Sequence, residues 1–312
     1  LPAPPRIFQG RGDETQQLVQ MLSGKSPRVA ILGAGGIGKT SLAKVVLHHP
    51  NIAGQHEHRF FVPCDSATTA IELAAVVGAH LGLNPKPNLT HTVISNLSGR
   101  TTSLLILDNL DTTWESMASR QDVEDFLALL DNVETLSLLI TLRGAERPGR
   151  INWTRPFLPP LQPLTTEAAM DMFMDIADDV HAPEEVEQLL RFTDNLPLAV
   201  DLMAHLVDSD GCSNVLASLE QEKTNILSLG YDRRSNLDVS IGISLNSPRI
   251  AAIPHALDLL RILSILPDGL SDVELLHIKF PIPGVLSCQG VLLSTSLAYL
   301  DERNRLKALV PI

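Results

Sequence analysis

The 312 residues are 44% hydrophobic and 19% charged, a globular composition that excludes a disordered chain. The net charge of −12 is carried wholly by residues 160–312, with 22 acidic and 10 basic side chains, while residues 1–159 hold 14 of each. That shift places a domain boundary near 160 and argues against nucleic-acid binding by the second half, because phosphate neutralisation needs clustered cations. No apolar run reaches the ~18 residues that a membrane span requires, and Cys64, Cys212 and Cys288 are too few and too far apart for a zinc site or a disulfide framework. They read as buried thiols in a reducing compartment, and the expected location is cytoplasmic.

In chain order, residues 1–5 read as a linker tail, without the basic start and apolar core of a signal peptide. A helix is expected over 13–22, capped by Gly12 or Asp13 and buried through Leu18, Val19 and Leu22. The run Val29 to Leu32 has the apolar, β-branched character of a buried strand. Gly33, Gly35, Gly36 and Gly38 follow, then Lys39-Thr40, and Ser41 to Leu47 continues as a helix. This is the G-x-x-x-x-G-K-[ST] phosphate-binding loop in its strand–loop–helix setting. The amides of such a loop and of the following helix suit a polyphosphate. Lys39 is placed for the β- and γ-phosphates, and the Thr40 hydroxyl for Mg²⁺. Gly33-x-Gly35-x-x-Gly38 also matches the dinucleotide fingerprint, which leaves Lys39-Thr40 without a reason.

Further strands are expected at 59–63, 103–107 and 136–142, with a fifth short strand or crossing segment at 156–160. Helices are expected over 67–81, from 92 to 97, and over 123–130. The strand at 103–107 delivers Asp108-Asn109-Leu110-Asp111. An acid at the carboxyl edge of an apolar strand is what a Walker B element needs to hold a Mg²⁺ shell. The strand at 136–142 ends in Arg143, a cation able to sense a γ-phosphate. Strands alternating with helices predict a parallel sheet covered on both faces.

Beyond 160 the pattern turns helical. Thr165 caps a helix over 166–180, Pro183 opens one ending near 193, Pro197 opens another, and a fourth spans 212–227. A second boundary falls near 230–236. Leu237, Ile241 and Leu245 then mark one helix face, a helix follows over 252–266, and Ser271-x-x-Glu274 is a capping box for a third. Short apolar runs at 297–300 and 305–309 around a polar turn predict a hairpin. Three helices and a hairpin have the form of a winged helix.

Several phrases together resemble the signalling P-loop ATPases of the STAND class, in particular the NB-ARC type of immune receptors and apoptosis regulators, and most of all its fungal versions. They are Phe8-x-Gly10-Arg11-x-x-Glu14, the glycine-rich loop at 33–43, the run 104–111, Thr141-Leu142-Arg143, and Asn195-Leu196-Pro197-Leu198-Ala199. Leu263 to Gly269 sits where the winged helix has a similar phrase. The resemblance implies a nucleotide-binding domain over 1–159 with sheet order 5-1-4-3-2, a helical domain over 160–232 and a winged-helix domain over 233–312. It implies that Ile7, Phe8 and Arg11 lie by the adenine, that Gly33, Gly35, Gly36, Ile37, Gly38, Lys39, Thr40 and Ser41 hold the phosphates, and that Pro197 closes the base or ribose side. Arg143 would be the first sensor, and Thr40 with Asp108 the metal-binding pair. ADP, ATP and Mg²⁺ are the implied ligands. Such a protein is a monomer with ADP and a homo-oligomer on activation in innate-immunity or cell-death-type signalling.

The second Asp usual after the Walker B acid is Asn109 here. An amide cannot take a proton from water. The related NACHT type carries an acid three positions on, which makes Asp111 the candidate base. The family's Gly before Leu-Pro-Leu-Ala is Asn195, and its Met-His-Asp phrase is missing near 307–310; His255 and His277 read as surface or packing residues. Two other functions fit parts of the chain. A P-loop kinase or ATP-driven transferase would need a second-substrate pocket, which no motif announces. A DNA-binding regulator would need a basic winged helix.

Overall fold

A computed structural model of the chain describes residues 1–84, 87–115, 119–178, 181–222, 245, 248–266, 269–277, 282–295, 297–300 and 304–308. The expected boundary at 230–236, the helix positions Leu237 and Ile241, and Leu309 and Val310 lie outside them. Contacts divide the chain into two units: Leu1–Arg6, Arg11–Leu32 and Lys39–Leu161 form the first, and Ile7–Gly10, Gly33–Gly38 and Gln162–Ile312 the second.

The first unit is built on four strands, β1 (Arg28–Gly33), β2 (His58–Pro63), β3 (Ser103–Asp108) and β4 (Leu136–Arg143). Every residue of β1 and β3 is buried, as a sheet covered on both faces demands. The order is β1-β4-β3-β2. β2 and β3 run parallel with Pro63 opposite Asp108, and β3 and β4 run parallel with Leu107 opposite Ile140. Their carboxyl ends therefore share one edge, the edge at which such sheets bind ligands.

Around the sheet stand α1 (Gly12–Leu22), α2 (Lys39–His48), α3 (Pro50–Gln55), α4 (Ala70–His80), α5 (Leu89–Ser98), α6 (Asp111–Glu115) and α7 (Arg120–Asp131). Leu73, Val77, Val93, Leu97, Val123, Phe126 and Leu127 from three of these helices join Leu105, Leu107, Leu138 and Ile140 in one core. The helix expected over 67–81 starts later, at Ala70, because Thr69 and Glu72 close a capping box there. The N-cap of α1 is Arg11, without a side-chain cap bond, and Gly12 and Asp13 fall inside the helix.

The fifth strand is not formed. Residues 154–161 run beside β1, where Thr154 N–H donates to Arg28 C=O at 2.9 Å and Leu161 N–H to Leu32 C=O at 2.7 Å. Between these anchors Pro156, Pro159 and Pro160 have no N–H to give, so no ladder grows. The expected order 5-1-4-3-2 thus holds over its last four positions, and the first is a proline-rich crossing segment.

The second unit contains α8 (Thr166–Ala177), α9 (Pro183–Leu190), α10 (Pro197–Asp210), α11 (Cys212–Glu222), α12 (Pro248–Ala252), α13 (His255–Ser264), α14 (Asp272–His277) and α15 (Val285–Ser294). Thr165 Oγ1 accepts from Ala168 N–H at 3.2 Å, capping α8. Ser271 and Glu274 exchange bonds of 3.3 and 2.7 Å as a capping box for α14. An antiparallel sheet of β5 (Leu270–Ser271), β6 (Ala298–Leu300) and β7 (Arg305–Ala308), in order β5-β7-β6, packs on these last helices through Leu306, Leu259, Leu263 and Leu292.

Candidate functional site

The glycine-rich loop continues β1 and ends where α2 begins at Lys39. Within the second unit, Gly36 carries φ +74° and its C=O accepts from Leu198 N–H at 3.1 Å. A Cβ at Gly36 would stand 2.9 Å from Leu198 Cβ, so only glycine fits this approach. Gly38 lies at φ +92°, with Pro197 Cγ 3.9 Å from where its Cβ would be. Pro197, at the first position of α10, lacks an amide, and Leu198 supplies the next one to the loop. In the same unit, Gly10 (φ +68°) presses on α8, where an added Cβ would meet Ala168 Cβ at 2.3 Å. Ile7 and Phe8 beside it are half-buried, and Ile37 is buried.

In the first unit the carboxyl edge gathers charged and hydroxyl groups. Thr40 Oγ1 lies 3.0 Å from both Oδ1 and Oδ2 of Asp108. Thr141 Oγ1 donates to Asp108 Oδ1 at 2.7 Å and accepts from Asn109 N–H at 2.8 Å. Asp111 Oδ1 accepts from the Arg143 backbone N–H, and its Oδ2 is 3.7 Å from Arg143 Nε. Asp111 is only 3% exposed, and Oδ2 has no hydrogen-bond partner among the described residues.

Burial dominates the protonation of Lys39, Asp108 and Cys64. It lowers the Lys39 ammonium to about 8, with Asp111 raising it, Arg143 lowering it and Asp108 raising it in turn. It raises Asp108, while hydrogen bonds from Thr141 and Thr40 and the charges of Lys44 and Lys39 oppose it. Burial and the neighbouring acids Asp108, Asp65 and Asp111 raise the Cys64 thiol, which keeps it inert. Cys212 and Cys288 are also buried and free.

The residues singled out by sequence thus fall into two groups. Lys39, Thr40, Asp108, Asp111 and Arg143 come together in the first unit; Gly36, Gly38 and Pro197 do so in the second. Arg11 is buried in the first unit and pairs with Glu14 at 2.8 Å, and Ser41 is half-buried on α2. Arg143 is only 12% exposed, not a surface arginine at a strand end. Thr141 belongs to the Thr141-Leu142-Arg143 motif, which by itself gives it no role. Its sequence signal was a hydroxyl residue inside an otherwise apolar strand, two places before Arg143.

The donor set suits Mg²⁺. It is made of oxygens alone, one hydroxyl and one carboxylate, and a small hard cation takes the rest of its shell from phosphate and water. The orphaned Oδ2 of Asp111 supplies a further buried acceptor in the same cluster.

Comparison with known proteins follows this geometry. A family model described as Novel STAND NTPase 1 matches residues 2–163. No curated protein sequence matches. Among solved structures, a Walker-type ATPase of Pyrococcus abyssi is similar over 99% of this chain and 96% of its own, with a TM-score of 0.63 and 13% identity. The Aeropyrum pernix ORC2 protein, solved as ADPNP–ADP complexes, is similar over 98% of this chain and 91% of its own, with a TM-score of 0.56 and 17% identity. The Aeropyrum pernix ORC1 protein, solved in complex with DNA, is similar over 98% and 90%, with a TM-score of 0.53 and 15% identity. At such identities the likeness is one of fold, that of a P-loop ATPase.

Proposed function

The chain belongs to the novel STAND NTPase 1 family, and from that premise we propose that it is a nucleotide-dependent switch of the NB-ARC kind. In this reading it binds ADP or ATP with Mg²⁺, hydrolyses ATP slowly, and changes from a monomer with ADP to a homo-oligomer with ATP in innate-immunity or cell-death-type signalling. The three-domain division at 159 and 232 belongs to the same proposal, with α13, β5, α14, α15, β6 and β7 read as a winged helix. Three buried, unpaired cysteines support a cytoplasmic setting.

The observation that carries the reading is the pairing of Thr40 with Asp108 beside a buried carboxylate oxygen on Asp111 that has no hydrogen-bond partner among the described residues. Thr40 and Asp108 would hold Mg²⁺, which supplies charge neutralisation of the polyphosphate when bound. Lys39, held beside two acids, adds a cation for the terminal phosphates. Asp111 is fixed through Oδ1 and presents Oδ2 as an acceptor for a water proton. Arg143 Nε lies 3.7 Å from that oxygen and adds a cation beside it. A γ-phosphate then gives two nucleotide states different contacts, the requirement for a switch.

Calorimetry with ADP and ATP in Mg²⁺ tests this directly, together with sedimentation in each nucleotide. Lys39→Ala is expected to weaken nucleotide binding by about 10–100-fold, the worth of a hydrogen bond to a charged group. Failure of the wild-type protein to bind either nucleotide overturns the reading. Salt-dependent binding to duplex DNA would instead favour the DNA-bound state seen for the ORC1 neighbour.

A further inference from the structure

The register of β3 against β4 stops at Leu107 opposite Ile140. Beyond it, every residue from Asp108 to Asp111 is still tied to the end of β4. Asp108 Oδ1 and Asn109 N–H bond the Thr141 hydroxyl at 2.7 and 2.8 Å, Leu110 N–H bonds Thr141 C=O at 3.2 Å, and Asp111 Oδ1 bonds Arg143 N–H. Thr141 is 1% exposed and alone accounts for three of these ties.

The Thr141 hydroxyl has one proton and is a forced donor. Asn109 N–H can only donate, so it occupies an acceptor site on Oγ1, and the hydroxyl proton is left for Asp108 Oδ1. That oxygen must offer a lone pair, which orients the carboxylate. The second tie holds Asn109 at φ +61°, a left-handed backbone that asparagine tolerates better than most residues. Asn109 is thereby explained as the turn residue that carries the chain from Asp108 to Asp111.

We propose that Thr141 is a positioning residue for magnesium–nucleotide binding: its hydroxyl locks Asp108 Oδ1 and the Asn109 turn, leaving Asp108 Oδ2, beside the Thr40 hydroxyl, to face the cation's shell. The inference rests on the nucleotide-binding function proposed above. It assigns the role to the hydroxyl and not to the methyl of this side chain.

The test is the ratio of ADP affinity in Mg²⁺ to that in EDTA, measured by calorimetry on the 312-residue chain, with thermal melting of the ligand-free protein as a control. Thr141→Val keeps the shape and removes the hydroxyl. It is expected to reduce the ratio at least tenfold, with affinity in EDTA kept within about twofold. Thr141→Ser is expected to keep the ratio within about threefold of wild type. An unchanged ratio in Thr141→Val overturns the proposal. So does a Thr141→Ser ratio as low as that expected of Val, a comparison that stands even if the Val protein does not fold. If wild type binds ADP in neither condition, the nucleotide reading itself fails; if it binds and only these ratios disagree, the failure belongs to Thr141 alone.

Discussion

The two ends of the parallel sheet in the first unit both bury charge, and they finish the task differently. At the start of β1, the Arg28 guanidinium is 3% exposed and pairs with Asp131 at 2.9 Å. Its Nη1 donates to the carbonyls of Ser26, Pro27 and Leu136, and its Nη2 to those of Leu130, Asp131 and Val133. Each guanidinium nitrogen is occupied, and burial lowers the group's pKa with Asp131 opposing. At the carboxyl end, Lys39, Asp108 and Asp111 are also buried, yet Asp111 Oδ2 has no hydrogen bond among the described residues. A saturated charge stitches the connection between α7 and β4. A buried carboxylate oxygen with an ion-pair neighbour but no hydrogen bond among the described residues carries a desolvation cost that a polar ligand would relieve.

The comparison predicts opposite responses to substitution. The largest is expected at the open end: Asp111→Asn should slow single-turnover ATP hydrolysis by about 100- to 10,000-fold, the range of general-base catalysis, with ADP affinity little changed. Equal rates would remove Asp111 from that role and make its orphaned oxygen a structural accident. At the closed end, Arg28→Ala strands Asp131 and a set of carbonyls, and should cost about 3–5 kcal/mol of stability, as for a broken buried ion pair. Denaturant unfolding measures it, and ADP affinity of the folded fraction should stay unchanged. A lost affinity with intact stability would mean that the two ends are not separate.

The smallest effect is a pH dependence at the closed end. His56 is buried before β2, with Nδ1 3.2 Å from Ile52 C=O and Nε2 2.9 Å from Ser137 Oγ at the start of β4. Burial lowers its pKa below the usual 6.5, Ile52 opposing and Arg59 adding to the shift. The unfolded chain therefore takes up the proton first as pH falls. His56 contributes full stability above about pH 6.5 and loses it progressively below, down to its folded pKa. Urea midpoints should drop between pH 7 and 5 more steeply in wild type than in His56→Asn; equal slopes would assign the acid sensitivity elsewhere.

Much of the molecule was legible because its signals are local. The glycine-rich loop, the apolar strands and the helix starts at Thr165, Pro183 and Ser271 are all written in neighbouring residues. The short helices α3 and α6 were not foreseen, since five or six residues hold too little periodicity to read. Residues 156–160 could be read as a short strand or a crossing segment, and the prolines, which lack backbone donors, decide for the crossing segment.

The amino-acid sequence by itself determined a phosphate-binding loop, an acid at the end of a buried strand, and a cation at the end of another. It could not determine which oxygens of Asp108 and Asp111 were already taken. Those bonds join residues 68, 33 and 32 positions apart and depend on strand order and register. Only the packed sheet brings Thr141 against Asp108 and Arg143 against Asp111, because hydrogen bonds require a fixed geometry that local sequence does not carry.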